Sequence, residues 1–95
     1  MPIFTVRFMP FSDVGERVFT EEHDFNATSI LRACEWAIAY GSDDLLYGHG
    51  DPADWLVTVF ITPKDSKSRT QRRYLTFSPL YPPTVKAFKK WEKER

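Results

Sequence analysis

The chain has 95 residues, 42% of them hydrophobic and 27% charged, which suits one compact domain and leaves no room for two. No apolar run approaches the roughly 20 residues of a membrane-spanning helix, the start MPIFTVRF lacks the regions of a secretory signal, and the lone cysteine, Cys34, excludes an internal disulfide, so a soluble cytoplasmic protein is expected. The net charge of zero hides a division, because residues 1–63 carry three basic and ten acidic groups while residues 64–95 carry ten basic and three acidic, a segregation that bears on partners more than on fold.

The segment IFTVRFMPF (residues 3–11) sets Phe4, Val6 and Phe8 against Thr5 and Arg7, the alternation of a half-buried strand. Pro10 predicts its end or an edge position. SDVGE reads as a turn and RVFTEEHDF as a second, more polar strand, so the short connection predicts an antiparallel hairpin. NATSILRACEWAIAYG predicts a helix, with Asn26 as N-cap and Gly41 as C-terminal stop. At about 100° per residue, Ala27, Ile30, Leu31, Cys34, Ala37, Ile38 and Gly41 share one face. Ser29, Arg32, Trp36 and Ala39 lie opposite, with Glu35 and Tyr40 at the margins. Packing the first face on a sheet predicts that Trp36 points away from it and is at least partly exposed beside Arg32. WLVTVFITP is a third strand, apolar on both sides and therefore central. PKDSKSRTQ is a basic loop, RRYLTF a fourth strand and SPLYPP a break. TVKAFKKWEKER predicts a closing amphipathic helix started at Pro83, with Val85, Phe88 and Trp91 at three-residue spacing. The expected fold class is α+β: a two-layer, four-stranded, mostly antiparallel sheet in ββαββα order with the helices packed on it, in a single domain.

The stretch DDLLYGHGDPADW (residues 43–55) gathers four aspartates, a histidine and a tyrosine. Its Gly48, Gly50 and Pro52 suit a chain reversal, and no metal-ligand spacing surrounds His23 or His49. A turn is expected there, with no metal and no cofactor. Cys34 falls on the apolar helix face, where a thiol is inert packing. EEHDF offers a His–carboxylate pair without a nucleophile, and no phosphate-binding glycine loop is present. No catalytic residue, and no enzyme, is expected.

Two surfaces remain. One combines Arg32, Trp36 and Tyr40, residue types enriched at binding hot spots, with the acidic groups Glu21, Glu22, Asp43 and Asp44. The other is basic: Lys64, Lys67, Arg69, Arg72 and Arg73 on one hairpin, and Lys86, Lys89, Lys90, Lys93 and Arg95 on the last helix, with Tyr74 and Tyr81 interleaved. Cations beside stackable rings can hold a phosphate backbone.

The plan of hairpin, helix ending in Gly-Ser, and hairpin over residues 3–77 resembles, in layout alone, small inhibitors encoded by phages and mobile elements, anti-CRISPR proteins among them. That resemblance implies a non-catalytic module that blocks a host nucleoprotein machine by setting acidic groups in a basic groove. The expected partner is a protein, with no membrane and with self-association of the acidic and basic halves open. The alternative is a nucleic-acid-binding domain that uses the basic C-terminal third.

Overall fold

The computed structural model describes residues 3–11, 19–46, 55–64 and 72–90. Five antiparallel strands form one open sheet: β1 (Ile3–Phe11), β2 (Glu21–Asn26), β3 (Leu56–Pro63), β4 (Arg73–Phe77) and β5 (Lys89–Lys90). Their spatial order is β2-β1-β3-β4-β5. One α-helix, α1 (Ile30–Asp43), packs on one side of the sheet against β1 and β3. No helix among the described residues is long and apolar enough to cross a membrane.

The α+β architecture on an antiparallel sheet matches the expectation; the four-stranded ββαββα plan does not. Of the segment expected to form a second helix, the described residues form a 3-10 turn, Val85–Ala87, followed by β5, while residues 91–95 lie outside the described residues. The free edge of β4 takes up this segment, pairing Arg73 with Lys90 and Tyr74 with Lys89. Pairing with the free edge of β4 overrides the local helical pattern over these residues. Val85 and Phe88 of the expected apolar stripe pack against the core, with Ala87 beside them, and Trp91, its third member, lies outside the described residues.

β3 lies at the centre of the sheet, as its two apolar faces require. Alternation sorts the side chains. Phe4, Val6, Phe8 and Pro10 of β1, Val57, Val59 and Ile61 of β3, and Leu75 and Phe77 of β4 are buried under α1. Pro10 stays within its strand, paired with Val57. It lies beyond the end of β2, which pairs only with residues 3–8 of β1. A missing N–H is tolerated where a strand lacks a second neighbour.

The helix differs from expectation at both ends and in its roll. Asn26 closes β2 opposite Ile3, and Ser29 is the N-cap, its hydroxyl accepting from the Arg32 N–H at 3.4 Å. Gly41 is interior and α1 runs on to Asp43. A Cβ at Gly41 would lie 2.9 Å from Phe77 Cζ, so the glycine serves close approach to the sheet and does not terminate the helix. The buried ridge is Ala33, Cys34, Ala37 and Gly41. Small side chains along that line bring the backbone down onto Phe8 and Phe77. The larger flanking side chains, Trp36 and Tyr40 among them, then reach the sheet beside the ridge. Leu31, placed on the buried face by its phase, is 57% exposed.

Candidate functional site

The rolled helix builds an aromatic and acidic cluster over the β2 edge. β2 directs Glu21, His23 and Phe25 to the helix side, in register with Phe8, Val6 and Phe4. Trp36 keeps the partial exposure expected of it, but its ring packs on the β2 side chains and does not point away from the sheet. It stacks on Phe25 at 4.8 Å and 13° and on Tyr40 at 5.2 Å and 15°. Phe8 and His23 meet it edge-on at 5.9 and 5.5 Å.

One carboxylate oxygen ties this cluster together. Glu21 Oε2 lies 2.7 Å from His23 Nε2 and accepts the Tyr40 hydroxyl. The hydrogen bond to Glu21, with burial and the nearby charges of Glu21 and Asp44, pushes the Tyr40 phenol up to about 12. The arrangement holds a proton on Tyr40 and ties both rings to one carboxylate.

A shallow groove of about 480 Å³ runs beside the stack, floored by Phe25 and Trp36 and bounded by Ala27, Thr28, Arg32 and Glu35. Arg32 and Glu35 pair across one turn at 3.5 Å. Asp43 and Asp44 are exposed at the far end of α1. Glu22 is separated from the others by strand alternation: it faces the bare side of the sheet, 2.9 Å from Arg7. Of the residues singled out for protein binding, Glu21, Trp36, Tyr40 and Asp44 thus converge, Arg32 marks the other end of the groove, and Glu22 stands apart. His23 and Phe25 complete the cluster. Their signal was the alternation of β2 against the buried positions of β1.

The basic residues gather at the opposite edge. Arg73 and Lys90 face one another in register, Lys89 faces Tyr74, and Lys86 is exposed on the 3-10 turn. Arg72 is half-buried just before β4. Lys86, Lys89 and Lys90 do not share a helical face, because no helix forms there. Lys64 belongs to the other side, 2.5 Å from Asp24. With a bond from Thr5, it holds the Asp24 carboxyl below its usual range. Tyr81 is 78% exposed and lies outside the sheet. Lys67, Arg69, Lys93 and Arg95 lie outside the described residues, as does the stretch from Tyr47 to Asp54 with His49.

Cys34 is buried, and burial pushes its thiol up to about 11. No group of three His, Cys, Asp or Glu side chains among the described residues is placed to hold a metal ion. The chain matches no protein-family model, no curated protein and no solved structure.

Proposed function

We propose that the protein is a non-catalytic binding module that docks the acidic end of α1 and the adjoining β2 edge against a basic protein surface. The observation that carries this reading is the placement of Asp43 and Asp44. Both are exposed at the C-terminal end of α1, whose last turn holds no basic residue. The helix dipole disfavours negative charge there, by about 0.3–1 kcal/mol for each group. Glu21 adds a third carboxylate beside Tyr40. Local electrostatics that oppose folding point to a cationic partner that offsets them. The rigid Phe25–Trp36–Tyr40 stack and its groove supply apolar area next to the charge.

A nucleoprotein machine presents basic grooves of the required sign, and inhibition of one by an anti-CRISPR-like phage or mobile-element protein is the finer form of the proposal. The test compares wild type with the Asp43→Lys/Asp44→Lys double variant. Partners captured from cells that carry the gene are identified by mass spectrometry, purified and titrated. The double variant is expected to lose about 2 kcal/mol or more of binding energy, as at charged hot spots. A partner that binds the double variant as tightly as wild type, and is lost with Arg73→Glu/Lys89→Glu, would place the interface on the other edge.

A further inference from the structure

The connection that leaves β4 reads Ser78-Pro79-Leu80-Tyr81-Pro82-Pro83-Thr84. It begins as a tight turn, in which the Tyr81 N–H donates to the Ser78 carbonyl at 3.0 Å and Pro79 is buried at the second position. The fixed φ of proline suits that position. It ends where the Thr84 carbonyl accepts from the Ala87 N–H at 3.0 Å and opens the 3-10 turn. Phe77 before the connection is buried, and Val85 and Phe88 after it pack against the core. Both ends are therefore pinned.

Between the pins the chain is set to polyproline II. Proline holds φ near −65° at positions 82 and 83, and a following proline keeps Tyr81 and Pro82 out of the helical region. Thr84 continues the run at φ −92° and ψ 165°, close to the polyproline II values of about −75° and +145°. Residues 82–84 form neither helix nor strand. With three residues per turn, Tyr81 and Thr84 share one edge, Pro82 forms a second and Pro83 a third. Exposure follows that division: Tyr81, Pro82 and Thr84 are exposed and Pro83 is half-buried, so the Pro83 edge faces the protein. Among the described residues Tyr81 is the most exposed large hydrophobic side chain, and Leu80 beside it is 49% exposed. The carbonyls of Leu80, Tyr81 and Pro82 make no backbone hydrogen bond to the described residues. Lys86 stands exposed two residues past Thr84.

We infer that the ridge Leu80-Tyr81-Pro82, with Thr84 and Lys86 beyond it, is a ligand for a protein groove lined by aromatic side chains, the kind of groove that reads polyproline II. Flat rings receive the proline and tyrosine rings, and polar tips on tyrosine and tryptophan reach the unused carbonyls. The pinned, proline-set backbone loses little freedom on docking, which is the advantage of this conformation as a ligand. Lys86 calls for a carboxylate at one end of the partner's groove. The ridge uses none of the side chains of the acidic surface in the proposed function, and it stands or falls independently of that reading.

The probes are a purified SH3 domain and a purified WW domain, both of which carry such grooves, titrated separately into the whole isotope-labelled protein and followed by amide NMR. At least one is expected to bind saturably, with shifts centred on Leu80, Tyr81, Thr84 and Val85. An excess of that domain's own proline-rich peptide is expected to displace it. Tyr81→Ala and Pro82→Ala are each expected to lower the affinity about tenfold, the scale of an aromatic anchor, while Tyr81→Phe keeps the ring and stays within about threefold. Lys86→Glu weakens binding and reduces its dependence on salt. A linear peptide of residues 77–85 is expected to bind about tenfold more weakly than the whole protein, since it must be ordered on docking. Tyr81 is 78% exposed, so its variants keep the fold. The inference is overturned if neither domain binds saturably, if the proline-rich peptide fails to displace a bound domain, if folded Tyr81→Ala and Pro82→Ala both bind at full affinity, or if the shifts lie on other surfaces. Concentration-dependent shifts of the same amides in the protein alone would also overturn it, by assigning the ridge to a second copy of the chain.

Discussion

Truncating Trp36 tests the roll of α1, on which the whole acidic surface depends. Trp36→Ala removes two near-parallel stacks, on Phe25 and Tyr40, and two edge contacts, on Phe8 and His23. Aromatic pairs contribute about 0.5–1.5 kcal/mol each beyond their buried area. Burying roughly half of a large ring, on the order of 100 Å², contributes about 2.5 kcal/mol at ~25 cal/mol per Å². The stacks and the area overlap, and the pocket partly relaxes. The expected loss is therefore about 3 kcal/mol, the lower end for an aromatic truncated in a core. For a chain of this size that lowers Tm by roughly 12–24 °C. Trp36→Phe keeps part of the stack and is expected to lose about half as much. Urea melts followed by circular dichroism give both numbers. A loss below about 1 kcal/mol for Trp36→Ala, the range of surface substitutions, would show that the ring is not packed on Phe25 and that α1 is rolled the other way.

Three further outcomes follow from the same geometry. Gly41→Ala gains helix propensity, worth about 1 kcal/mol, but drives a methyl to 2.9 Å from the buried Phe77 ring; overpacking costs about 1–3 kcal/mol, so a net loss near 1 kcal/mol is expected, and a stabilised variant in thermal melts would show that α1 stands farther from the sheet. Cys34, with its thiol raised to about 11, is expected to react with a disulfide reagent at pH 8 only through unfolding, and labelling at the denatured rate would contradict its burial. The Tyr40 phenol is pushed up to about 12. Its folded pKa stands above the unfolded value, so its contribution to stability is complete below about pH 10 and is lost as pH rises through about 12. Subtracting the ultraviolet titration of Tyr40→Phe from that of wild type isolates its step, and a step near pH 10 would mean that the bond to Glu21 is not made.

Much of the sheet was legible from alternation. β1, β3 and β4 lie within a residue or so of where the apolar spacing sets them, and β3 is central because both of its faces are apolar. The helix was legible as an element but not in its roll. Periodicity weighs residues by hydrophobicity, which favours a face through Ile30, Leu31 and Cys34. Packing weighs them by size as well, and Ala33, Ala37 and Gly41 allow a closer approach. The last segment was misread because an apolar residue every third position fits a short turn followed by an extended edge as well as a helix. That edge exists only once β4 is in place, and no local pattern reports it. The convergence of Glu21 with Tyr40 likewise needed the helix roll, although both residues were singled out from their chemistry.

The central claim is that the sheet separates two surfaces by charge, with carboxylates at the β2–α1 end and basic side chains at the β4–β5 edge. Backbone amide NMR of the uniformly labelled protein, titrated in turn with a deca-arginine peptide and with 12-nucleotide oligouridylate, reads both surfaces in one molecule. The peptide is expected to shift amides around Glu21, Tyr40, Asp43 and Asp44, and the oligonucleotide those around Arg73, Tyr74 and Lys89. Shifts on the same residues with both probes, or the two patterns exchanged, would contradict the account.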